Sequence, residues 1–164
     1  MTPSRKILIF GGLALATFGM LYGLHYAIFI EHQTLDQMGG SLAQSFSAAA
    51  DRNITQSSAA LNAYGSDKYD YVRQVDIHSH WIGLAMIMVV LGAAFDRVNF
   101  SEAIREWIAV TLLVGSVVFP LAVLLQTYHH GGVIFKALAV IGSGLVIVAL
   151  AATAFGFSWR SPAV

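Results

Sequence analysis

Four apolar runs, each close to the length that crosses a bilayer and free of charge but for Lys136 at the start of the fourth, constrain this chain more than any other feature. A hydrocarbon core of about 30 Å takes roughly 20 helical residues to cross. The first run, Ile7 to Ile30, contains no Asp, Glu, Lys or Arg. The second ends at Phe95, before Asp96-Arg97, and counting back places its start near Asp76 or Ile77. The third runs from Trp107 to His130, where Gly131-Gly132 is a natural stop. The fourth ends at Phe157, before Trp159-Arg160. The predicted spans are 7–30, 77–95, 107–130 and 135–157, with a loop over 31–76. Composition agrees: 11% of residues are charged, against about 25% in a soluble domain. The expected fold is all-α, an integral membrane four-helix bundle forming one domain over 1–164, with a partly helical outer loop.

The same arithmetic excludes several functions. Nine basic residues balance nine acidic ones, so no basic excess holds a nucleic acid. The absence of Cys removes disulfides, Fe–S ligation and thiolate zinc sites. There is no Ser/His/Asp spacing, phosphate loop or intramembrane carboxylate pair, so no catalytic residue is assigned.

Four crossings put both termini on one side. Arg5, Lys6, Arg97, Arg105 and Arg160 flank that side in short segments, while Arg52, Lys68, Arg73 and Lys136 lie on the other. The positive-inside rule then makes the termini cytoplasmic. The loop faces outward, into the periplasm if the membrane is a bacterial inner membrane. The first run exceeds the roughly 7–15 apolar residues of a signal peptide and ends in no small-residue site, which predicts a retained anchor. In the loop, Leu35, Met38, Leu42, Phe46 and Ala49 recur at steps of three and four, predicting an amphipathic helix on the membrane surface or the bundle. Asn62 to Asp67 carries a turn signal. Gly19-x-x-x-Gly23 points to helix packing, and Pro120 to a kink.

Under this topology the six histidines, His25, His32, His78, His80, His129 and His130, all fall in the outer half. At about 1.5 Å per residue, His25 counted from Ile7 and His78 counted from Asp96 both lie about 27 Å from the inner edge. His80 comes at roughly 24 Å and His129 at about 33 Å. At about 100° per residue, His78 and His80 point to nearly opposite sides of their helix, so they serve two sites rather than one compact ion. Imidazoles from separate membrane helices at one depth fit haem b, whose iron takes one from each face. The predicted iron ligands are His25, His78, His80 and one of His129 and His130. Tyr22 and Trp81 are placed to pack on the ring, and Arg73 or Lys136, with Arg52 as a further option, to meet the propionates.

The segment Asp76-Ile77-His78-Ser79-His80-Trp81-Ile82-Gly83-Leu84-Ala85-Met86 resembles the His-x-His helix of the haem–copper oxidase and nitric oxide reductase main subunits. That resemblance implies that His78 and His80 each bind a haem iron, on opposite faces. Four spans do not provide that family's further helices or its copper site, so its oxygen or nitric oxide chemistry is not implied.

The expected function is a membrane b-type cytochrome with one or two haems near the outer face. It would pass electrons between the quinone pool and an outer partner, or serve as a subunit of a respiratory assembly. Two alternatives stand beside it. One is a protein holding copper, zinc or iron on three or more convergent His; the other is a cofactor-free accessory subunit that packs on larger membrane partners.

Overall fold

The computed structural model describes residues 1–128 and 132–158. Among these the chain forms five α-helices, α1 (Pro3–Phe29), α2 (Glu31–Ala50), α3 (Ile54–Ala94), α4 (Glu102–Tyr128) and α5 (Val133–Ser158), with a 3₁₀ turn at Phe95–Arg97. No strand occurs among the described residues. Helices α1, α3, α4 and α5 are each long and apolar enough to cross a membrane. The protein is an all-α integral membrane four-helix bundle, as its apolar runs require.

The span limits shift by a few residues except at α3. That helix is 41 residues long, about 60 Å at the α-helical rise, and its first half, together with α2, fills nearly all of the region expected as a loop. The turn expected at Asn62 to Asp67 does not form, because those residues continue α3. Ala59, Ala60, Leu61 and Ala63 favour helix, no Pro interrupts them, and an established helix propagates at little cost.

The chain's own contacts divide it into two compact units, Met1–Met20 with residues from Ile77 onward, and Leu21–Asp76. In the first, the bundle unit, helices approach at glycines. A Cβ on Gly12 would come 2.9 Å from the Ala85 carbonyl oxygen, and one on Gly142 would come 2.6 Å from the Phe119 amide nitrogen. Small residues are how membrane helices gain dispersion contact where burial from water supplies no drive. Leu8, Ile77, Ala85, Met88 and Leu112 are fully buried between them.

A polar clasp closes one end of this bundle. Arg5 pairs with Asp96 at 2.5 Å and donates from Nε to the Gly92 carbonyl at 3.1 Å. The Glu102 carboxylate accepts from the Ser4 backbone N–H at 2.9 Å and pairs with Arg105 at 2.9 Å. An acidic group at the start of α1 satisfies a free amide and meets the positive end of the helix dipole.

The second unit is a helical hairpin with the end of α1. Its seam is small and polar. Ser45 Oγ donates to the Ser57 carbonyl at 3.1 Å, and Ser57 Oγ donates back to the Ser45 carbonyl at 3.0 Å. Ala48 and Ala60 are buried beside them. The helix expected from the apolar stripe of α2 is present, and the stripe lies away from this seam, with Leu35, Phe46 and Ala49 exposed and Met38 and Leu42 half-buried. Small side chains let the two backbones come close enough for reciprocal side-chain-to-backbone bonds, which Leu and Phe in the seam would prevent.

Candidate functional site

His78 and His80 open the apolar half of α3, and the helical turn between them directs each to a different neighbour. His78 Nδ1 lies 2.9 Å from the Gly19 carbonyl oxygen on α1. A carbonyl only accepts, so Nδ1 carries a proton, and Nε2 is the nitrogen through which the neutral ring would offer its lone pair. His80 faces α4, its ring edge-on to Phe119 with centroids 4.7 Å apart and planes at 76°. The two imidazoles thus occupy opposite flanks of α3, as their spacing requires.

Gly19 makes the His78 bond possible. A Cβ there would come 3.0 Å from Trp81 Cβ and 3.1 Å from Ile82 Cδ1. Glycine leaves room here for α1 and α3 to approach this closely without displacing either neighbour. The first glycine of the Gly19/Gly23 pair therefore packs helices, as expected, and it also exposes the carbonyl that holds His78.

One turn along α3, Trp81 is 1% exposed and meets Phe18 in a T-shaped pair with centroids 4.7 Å apart. With Gly11, Leu15, Leu113 and Val117 they bound an apolar cleft of about 400 Å³ between α1, α3 and α4. Spacing along the sequence gave no sign of this cleft or of Phe119, because both depend on where α4 packs.

The remaining predicted residues have their own surroundings. His25 is exposed on α1 in the hairpin unit, with its ring 5.3 Å from Phe29. His32 is exposed on α2. Tyr22 donates its hydroxyl to the Gln74 side-chain oxygen, a partner that nothing in the residue spacing indicated. Arg73 lies over the Tyr69 ring at 4.9 Å, and Arg52 is exposed at the hairpin tip. Lys136 is exposed in the first turn of α5. His129 and His130 lie outside the described residues. Among the described residues, no three His, Asp or Glu side chains gather as a metal-ion site.

No known protein family, curated protein or solved structure matches the chain.

Proposed function

We propose that this chain is a membrane-bound b-type cytochrome in which His78 and His80, on opposite flanks of α3, would each help to hold a haem. The observation that carries this reading is the Nδ1–H bond from His78 to the Gly19 carbonyl. A metal-ligating histidine characteristically donates its other ring N–H to a carbonyl, which fixes the tautomer and ring orientation and makes the free nitrogen a better ligand. His78 has that arrangement, with Nε2 as the free nitrogen. Haem iron with two imidazoles exchanges single electrons and keeps no open position for substrate. The second imidazole for each iron comes from the chain's other histidines or from a partner subunit. In this reading the protein sits in a bacterial inner membrane with both termini cytoplasmic, and it carries electrons between the quinone pool and an outer redox partner.

A specific observation favours a second reading, a cofactor-free accessory subunit. The α1–α3 seam is closed at Gly12 and Gly19, which leaves a macrocycle no room inside that seam and makes the His78 bond a tie between helices. A haem ligated by His78 would lie beside the seam, not within it.

The variant His78→Asn separates the two readings. Its amide nitrogen stands where Nδ1 stood and keeps the bond to Gly19, but it has nothing in place of Nε2. For a cytochrome, protein purified in detergent shows haem bands in a reduced-minus-oxidised spectrum, and these fall in His78→Asn and in His80→Asn. A wild-type protein that is folded, colourless and free of iron overturns the cytochrome and leaves the tie.

A further inference from the structure

We infer that the cleft between α1, α3 and α4 holds one acyl chain of a membrane phospholipid. This stands apart from the haem reading, since no histidine lines the cleft. Its walls are entirely hydrocarbon and aromatic: Leu15 and Trp81 form the back, 6% and 1% exposed, while Phe18, Val117 and Leu121 stand at the mouth, each at least 40% exposed. All of these residues lie in helices that cross the membrane, so the mouth opens onto lipid. Water does not fill such a space, because a buried water needs two to four polar partners. Left empty, a volume of about 400 Å³ would forfeit the dispersion contacts of its lining. The hydrocarbon at hand is the bilayer itself. The lining offers no charged side chain to select a head group, and its one polar side-chain group, the Trp81 indole N–H, is buried, so the commonest chain at the mouth enters and its head group stays outside.

The test uses the full chain in phosphatidylcholine vesicles whose acyl chains carry a mid-chain diazirine, with adducts located by mass spectrometry after illumination. Adducts are expected on Leu15 and Trp81, which lipid around the bundle does not touch, as well as on the outward-facing Val140 and Ile147. Ala14→Trp, which places an indole across the cleft wall, should remove the Leu15 and Trp81 adducts and keep those on Val140 and Ile147. Val117→Phe fills the cleft from α4 and should do the same if Ala14→Trp disturbs folding. Labelling confined to Val140 and Ile147 in the unaltered protein overturns the inference. So does labelling of Leu15 and Trp81 by a prenyl-tailed diazirine probe but not by the phospholipid, which would give the cleft to an isoprenoid.

Discussion

At the scale of single residues, the bundle depends on atoms that are missing. Gly19 has no side chain, and because of that α3 comes near enough for Trp81 and Ile82 to pack and for His78 to reach a carbonyl. Gly19→Ala should push α1 and α3 apart by a few tenths of an ångström, because the new methyl meets Trp81 Cβ, whose position the backbone fixes. Overpacking of this kind costs about 1–3 kcal/mol, measurable as a lower midpoint in thermal or detergent unfolding. Gly83 is the contrasting case, since nothing lies within 4 Å of where its Cβ would be. Gly83→Ala should leave that midpoint unchanged or raise it slightly, because alanine is the better helix former. The sequence placed both glycines beside the histidines; their opposite roles follow from which side of each helix meets a neighbour.

Among the elements, the hairpin tip joining α2 to α3 is the most explicit local construction. Arg52 N–H donates to the Ala49 carbonyl and Asn53 N–H to the Ala48 carbonyl, while Arg52 takes a left-handed φ of 57°. These paired bonds form a Schellman ending for α2, at the position where glycine is usual. Asn53 then begins α3, its Oδ1 accepting from the Gln56 amide at 3.1 Å. Asn53 therefore caps the start of α3. Arg52→Gly should stabilise the hairpin by about 1 kcal/mol through relief of the left-handed strain, and Asn53→Ala should cost about 1 kcal/mol through loss of the cap. Opposite shifts in thermal midpoint, or in amide exchange across 45–60, check the pair. The amphipathic pattern of α2 correctly announced a helix, but it did not indicate the side that pairs with α3. Periodicity identifies an apolar stripe, whereas the partner helix chose Ser45 and Ala48, whose small side chains let two backbones meet.

For the whole molecule, closure of the bundle at its polar end rests on one carboxylate more than on the ion pairs around it. Asp96 is nearly half exposed, and exposed pairs contribute about 0–1 kcal/mol, so Asp96→Asn should be mild. Glu102 instead accepts from the backbone of fully buried Ser4. Glu102→Ala should therefore cost about 1–3 kcal/mol, the range for a buried donor left unpaired, and Glu102→Gln, which keeps the accepting oxygen, should restore most of it. Denaturation of the three variants in one detergent gives the order. The four spans make a further topological prediction. Cysteines placed at Thr2 and at Ser158 should react with an impermeant maleimide from the same face of sealed vesicles, and one placed at Gln44 from the opposite face. Labelling of Thr2 and Gln44 positions from one face would remove the first crossing.

The sequence alone determined that this chain lives in a membrane as a bundle of four helices, because apolar runs of spanning length have no other stable solution for their backbone polar groups. It also determined that His78 and His80 face apart, since helical pitch fixes the angle between residues two positions apart. It could not show what those rings meet. The Gly19 carbonyl, Phe119 and the walls that enclose the cleft beside Trp81 come from α1 and α4, distant in the chain and brought close by how glycines let the helices pack. Nor could it show that residues 54–76 run on into the second span as one helix. Local turn signals compete there with helix propagation and with pairing against α2, and only the assembled tertiary structure resolves that competition.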